Sequence, residues 1–252
     1  MRLNEAHLQT REQKLETTLL RPNWHILLVR PESMTFVMLI VGIVVGSLLS
    51  PYFLDVKYIL RSFTLTAEFS IAALVLTLVI IAGEIDLSPA SNMALSACLF
   101  AYAQAAGVPM PIAIFIGLAA GLAMGAFNAV MVIRFQLPSI IVTIGTLILF
   151  RGLAQVIAGD KSIRVVDWFI GINNHLIMGV PLPVIIFLIA SIVLGLVLNM
   201  TTYGRQIYQI GTNETAARHS GIKSKQIKFG LFLLIGVVSA ICGIMTASRL
   251  GS

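Results

Sequence analysis

Between Asp86 and Arg134 the chain runs for 47 residues without an aspartate, glutamate, lysine or arginine. A helix needs about 20 apolar residues to cross roughly 30 Å of hydrocarbon, so this stretch holds two crossings and a short connection. Two more uncharged stretches follow, from Trp168 to Gly204 and from Phe229 to Ser248. A soluble domain would put charge on the exposed face of each surface helix. Only 11% of the 252 residues are charged, against about 25% in soluble domains. The chain reads as all-α, a polytopic transmembrane helical bundle whose immediate partner is the lipid bilayer.

Seven apolar segments are expected to span: residues 34–50, 63–83, 89–107, 111–133, 138–158, 181–200 and 229–247. Several open on proline, which suits the first helical turn because its missing N–H would have no partner there. The net charge of +6 would point to nucleic acid in a soluble protein. Here it reads as topology, since cytoplasmic loops collect Lys and Arg, and no nucleic acid is expected. With the N-terminus inside, eleven basic residues fall on inside segments, among them Arg134, Arg205, Arg218, Lys223, Lys225 and Lys228. Five fall outside: Lys57, Arg61, Lys161, Arg164 and Arg249. Residues 1–33 then form a cytoplasmic segment, 34–252 the membrane domain, and 201–228 a long cytoplasmic loop. The first 30 residues carry no apolar core with a cleavage site, so the first span is expected to act as the insertion signal.

Gly117, Gly121 and Gly125 form two overlapping GxxxG steps, and Gly42 and Gly46 a third. Small residues four apart let another helix approach closely, and packing within the chain is the expected use. Cys98 and Cys242 lie in apolar stretches and read as buried thiols without metal spacing. No phosphate-binding GxxxxGK[ST], HExxH or GxSxG occurs. No catalytic residue, metal or cofactor is expected in this chain, and it does not read as an enzyme.

Three places break the membrane pattern. The first is Gly83-Glu84-Ile85-Asp86-Leu87-Ser88 ahead of Pro89. Two carboxylates on so short a turn must sit at the interface or face a protein interior. Asp86 or Ser88 would cap the next helix, or the turn would serve gating. The second is the loop 201–228, where Asn213 is a good N-cap, Glu214 suits a positive helix start and Gly221 a helix end. A short helix results, whose Ala216 and Ala217 would leave a small-residue face for docking. The third is the outer segment 159–180, with Lys161, Arg164, Asp167, Trp168 and His175, where a helix on the outer face is expected. His175 reads as exposed filler and Trp168 as part of the aromatic belt.

Glu68 and Arg151 are the ionisable residues deep inside spans, and each is a functional candidate by default. They either pair with each other, or Arg151 snorkels to the outer interface. Asn92, Gln104, Asn128 and Gln155 would hydrogen-bond between helices or meet a hydroxylated solute. Glu68, Asn128, Arg151 and Gln155 are the candidates for a translocation path.

Taken in order, Gly83–Ser88, then Leu137-Pro138-Ser139-Ile140-Ile141-Val142-Thr143-Ile144-Gly145-Thr146, Arg151-Gly152, Tyr203-Gly204-Arg205-Gln206-Ile207-Tyr208, the run from Gly211 to Ile222, and Ala247-Ser248-Arg249-Leu250 resemble the ribose-type permeases of bacterial ABC sugar importers. The resemblance runs from about Phe36 to the last residue. It implies a membrane permease for a monosaccharide of the ribose, rhamnose or autoinducer-sugar class, in the bacterial inner membrane. It implies three partners: an ABC ATPase subunit that uses the ATP, a periplasmic or lipid-anchored sugar-binding protein, and a second permease subunit, identical or not. Residues 213–222, with Asn213, Glu214, Ala216, Ala217, Arg218, Ser220, Gly221 and Ile222, match the family's coupling helix. Gly83, Glu84, Asp86, Leu87 and Ser88 match its signature, with Glu84 standing where the family usually has a second glycine. Family members also continue past residue 252 with further spans, so a truncated product or a fragment is expected. The competing readings are a channel or secondary carrier that needs no ATPase, and an inactive truncated permease.

Overall fold

The computed structural model describes residues 31–159, 176–177 and 179–250. Apart from two short strands, its regular structure is helical, as the uncharged stretches require. The chain divides into two compact units, one up to Ile59 and one from Leu60.

In the first unit, α1 (Pro31–Leu49) exposes apolar side chains around its circumference, Met34, Phe36, Met38 and Leu48 among them. Such a surface is suited to lipid, where the helix satisfies its own backbone. Gly42 has nothing close to it, and Gly46 faces the Phe53 ring, so this GxxxG step meets no second helix among the described residues. Asp55 Oδ1 accepts the Lys57 amide N–H at 2.7 Å. That cap starts α2 (Val56–Ile81) well ahead of the apolar segment that opens at Phe63.

The second unit continues with α3 (Pro89–Ala105), α4 (Met110–Ala129), a π-helical turn (Val130–Arg134) and α5 (Ser139–Ala158). A hairpin of β1 (Leu176–Ile177) and β2 (Val180–Pro181) leads into α6 (Leu182–Met200). Then come α7 (Thr202–Thr212), α8 (Glu214–His219) and α9 (Ser224–Leu250). Each of the seven apolar segments lies on a helix, and among the described residues five helices are long and apolar enough to cross a membrane: Val56–Ile81, Met110–Arg134, Ser139–Ala158, Leu182–Met200 and Ser224–Leu250. The 17 residues of α3 reach about 25 Å at 1.5 Å per residue. This helix packs against α4, α5 and α9 and buries Ser91, Asn92 and Ser96. Its polarity belongs to a helix enclosed by others. Of the outer segment, Lys161, Arg164, Asp167, Trp168 and His175 lie outside the described residues.

The helices α4 and α9 pack closely. A Cβ on Gly121 would stand 2.6 Å from the Gly236 carbonyl oxygen, and one on Gly125 would stand 2.5 Å from that of Phe232. The glycine stripe is thus spent on packing within the chain, as small-residue stripes in membrane helices commonly are. One apolar cluster joins Leu78 and Val79 of α2, Ile207 and Ile210 of α7, Ala217 of α8 and Phe232 and Ile235 of α9. A second joins Phe100, Ala113, Ile244 and Ala247. On α6 only Pro183 and Val184 are buried, so its flanks are left for lipid or a neighbour.

Candidate functional site

The loop 201–228 holds two helices where one was expected. Thr201 Oγ1 accepts the Gly204 N–H at 3.1 Å and caps α7. Along α7, Gly204, Ile207 and Ile210 are buried and recur three residues apart, which puts them on one face. At Gly211 an added Cβ would run into the Ile81 carbonyl oxygen, so α7 rests directly on the end of α2. The chain then turns at Asn213, which is extended, and whose Oδ1 accepts the Ala216 N–H at 3.0 Å. This is the cap read from the sequence. Gly221 takes φ +84, while its N–H donates to Arg218 O and that of Ile222 to Ala217 O. The helix α8 is therefore bounded at each end by a local signal, a side-chain cap and a left-handed glycine.

The docking face of α8 needs correction. Ala217 is buried in the apolar cluster shared by α2, α7 and α9. Side chains at a buried helix position cannot also meet a partner, so the free face carries Thr215, Ala216, Arg218, His219 and Ser220. Ile222 is half-buried against the same cluster.

Glu214 lies in the first turn of α8, and its Oε2 accepts from Lys228 Nζ at 2.6 Å. The same Nζ donates to Glu84 Oε1 at 2.7 Å. One ammonium therefore joins α8, α9 and the 83–88 turn. A cleft of about 480 Å³ opens beside it, lined by Glu84, Glu214, Arg218, Lys225 and Lys228 and by Gln136 and Ser139.

The 83–88 turn goes inward from there. Gly83 takes φ +83. Asp86 and Ser88 are buried, and Leu87 is exposed. Asp86 Oδ1 accepts from Ser88 N at 2.8 Å and from Ser88 Oγ at 2.7 Å. Ser88 sits at the N-cap of α3 but makes no side-chain capping bond, so the expected cap by Asp86 or Ser88 is not formed. Instead Ser88 Oγ accepts from Asn128 Nδ2 at 2.8 Å and Asn92 Nδ2 at 3.4 Å. The side chain is used to join α3 to α4. Burial pushes the Asp86 carboxyl above its ordinary range, and the bonds from Ser88 pull it partly back. Ile85 N–H donates to Ser139 Oγ at 3.2 Å, and Thr143 Oγ1 donates to Ile85 O at 3.3 Å. These bonds tie the turn to α5.

The four translocation candidates do not come together. Glu68 is fully buried and accepts from Arg249 Nε at 3.0 Å, across α2 and α9. Of the two alternatives for Glu68 and Arg151, their pairing is not formed, and Arg249 is an interior counter-ion rather than an outer-loop charge. Arg151 and Gln155 are exposed on one flank of α5. Asn128 is occupied by Ser88, and Gln104 Nε2 bonds Val108 O at 3.0 Å. Sequence reasoning missed Lys228 and Arg249 as interior partners. The signal was there, since a cation stands just before and just after the apolar run 229–248.

The family described as branched-chain amino acid transport system / permease component matches residues 58–252. The autoinducer 2 import system permease protein of Enterobacter sp. (strain 638) is 31% identical over 231 residues, 88% of this chain and 70% of the relative. The ribose import permease protein of Haemophilus influenzae is 32% identical over 226 residues, again 88% and 70%. The autoinducer 2 import system permease protein of Escherichia coli (strain K12) is 33% identical over 225 residues, 85% of this chain and 67% of the relative. No solved structure matches. These relatives are permease proteins of import systems, which are not enzymes.

Proposed function

This chain belongs to the branched-chain amino acid transport system / permease component family, and from that premise we propose that it is the membrane-spanning subunit of an ATP-driven monosaccharide importer. The solute class follows its ribose and autoinducer 2 relatives. The observation that carries the reading is α8, a capped helix of six residues on a loop that holds five basic residues, Arg205, Arg218, Lys223, Lys225 and Lys228. Its outer face of Thr215, Ala216, Arg218 and His219 is free, and its inner face is anchored to the bundle through Ala217 and Glu214. A lever needs that combination of one face for the motor and one for the load. An ATPase on the cytoplasmic side supplies the motion, an extracytoplasmic binding protein delivers the sugar, and a second permease subunit completes the pore. The N-terminus is cytoplasmic and the membrane is the bacterial inner membrane, by the bias of basic residues. ATP must bind the ATPase differently in the outward and inward arrangements for the cycle to be driven.

The test is uptake of labelled ribose and of autoinducer 2 by vesicles holding the chain with its ATPase and binding protein. Deleting residues 213–221 is expected to abolish ATP-dependent uptake while the chain still inserts. Uptake that persists without ATP, or survives the deletion, would overturn the reading in favour of a self-contained carrier. The one deep carboxylate such a carrier would titrate, Glu68, is held by Arg249.

A further inference from the structure

We propose that Lys228 is a positioning residue that clamps the helix α8 to the 83–88 turn, so that a push on α8 reaches α3, α4 and α5 through that turn. The inference rests on the reading of α8 as the docking lever. It goes beyond that reading by naming the side chain through which displacement enters the bundle.

The geometry is as follows. Extended Asn213 and Gly221 at φ +84 flank α8 and set it apart from α7 and α9. Two contacts hold it inward: Ala217 in the apolar cluster and Glu214 on Lys228. The first is non-directional and allows sliding, because apolar contact has no preferred orientation. The second is a short charge-assisted bond, which has one. Lys228 Nζ spends a second donor on Glu84 Oε1 at 2.7 Å. An ammonium has three donors and no acceptor, so it can bind two carboxylates from separate segments at once. Lys228 itself is buried.

Beyond Glu84 the bonds continue without a gap in sequence. Ile85 N–H is on Ser139 and Ile85 O on Thr143, both of α5. Asp86 holds Ser88, and Ser88 holds Asn92 of α3 and Asn128 of α4. Among the described residues, Lys228 is therefore the one side chain that bonds both the lever and a turn that grips three helices. Removing it leaves two carboxylates facing each other, whereas removing one carboxylate leaves a neutral pair. That asymmetry separates a shared clamp from two independent surface contacts.

The experiment uses the full chain with its ATPase and binding protein, in vesicles. Lys228→Met should lower uptake by about tenfold or more while the ATPase remains bound and hydrolyses ATP, and Lys228→Arg should retain roughly half or better. Glu84→Gln and Glu214→Gln should each lower uptake about two- to threefold, and together by much more than the product of the two, since the pair shares one partner. Uptake within twofold of normal in Lys228→Met, or single effects that simply multiply, would overturn the clamp. A second readout needs no transport: tryptic cleavage after Arg218 in the purified full chain. It should speed up about fivefold in Lys228→Met and about twofold in Glu84→Gln as α8 comes loose. An unchanged cleavage rate in both variants would overturn the clamp. If the unaltered chain fails to import sugar at all, the functional reading fails and the cleavage rates alone judge the clamp. Where Lys228→Met does not insert, Glu84→Gln carries both readouts.

Discussion

The two ends of α9 use the same chemistry in different surroundings. At one end Arg249 Nε holds Glu68 of α2, whose side chain is 0% exposed. At the other end Lys228 holds Glu84 and Glu214, whose side chains keep 16% and 39% exposure and border an open cleft. The cations are separated by about 31 Å along a helix rising 1.5 Å per residue, close to the thickness of a hydrocarbon core. In both places an acid from α2, or from just beyond it, meets α9. At the dry end water cannot replace the lost bond, so the pair acts as a strut that sets the register of α2 against α9. At the wet end water can take over a bond as it breaks, so the contact can be remade in another geometry. A helix with one fixed end and one exchangeable end is suited to pivoting.

The largest effect tests the strut. Arg249→Leu takes away the guanidinium on which Glu68 Oε1 relies. Loss of one partner from a buried ion pair costs about 3–5 kcal/mol, read as a lowered unfolding temperature of the purified chain in detergent. Lys228→Leu should cost less than half of that, because water and Arg218 are at hand in the cleft. Equal losses at the two ends would break the comparison, since it assigns the difference to solvent access.

A second pair of substitutions separates the inner face of α8 from the outer. Ala217→Arg would drive a charge into the cluster of Val79, Ile207 and Phe232, and is expected to lower folded yield by several-fold. Ala216→Arg points the same charge at solvent. It should leave unfolding within about 0.5 kcal/mol of the parent chain and instead reduce ATPase co-purification. The opposite pattern would exchange the faces and detach the lever from the bundle.

That distinction was not legible in the sequence, and the reason is physical. Ala216 and Ala217 are equally small and apolar, so a six-residue helix offers no polar contrast from which to tell its sides. Its ends were legible because Asn213 and Gly221 act locally, through a side-chain cap and a left-handed turn. The glycine stripe on α4 was legible for a similar reason, since a spacing of four states its own use. The Glu68 partner was not: Arg249 lies 181 residues away, and nothing local marks the pair. Arg151 looked the better partner only because it too stands within an apolar run. The helix α7 went unread although Thr201 caps it and Gly204, Ile207 and Ile210 keep one face. Its polar side chains read as loop. The turn 83–88 was legible as a carboxylate site at the interface or facing the interior, but the choice between them and its bonding to α4 and α5 depend on how the helices assemble.

The smallest effect concerns Arg151, a cation inside the span α5, and it sharpens the contrast by adding a site where no acid is bonded among the described residues. Arg151 is exposed on α5, and Gln155, one turn on, is exposed beside it. Its distance from the helix end at Ala158 is about 10 Å at 1.5 Å per residue. A long side chain covers much of that by snorkelling to the interface. On this account Arg151→Gln removes a solvated charge that has no bonded partner among the described residues. Unfolding should shift by less than about 0.5 kcal/mol, and uptake at saturating sugar should stay within twofold. A rise of tenfold in KM at unchanged abundance would instead put Arg151 in contact with the solute. The flank of α5, rather than the α2–α9 seam, would then be the wall of the translocation path. The dry strut would be confirmed in a purely structural role by the same result, because a path along α5 leaves Glu68 and Arg249 with no solute to meet.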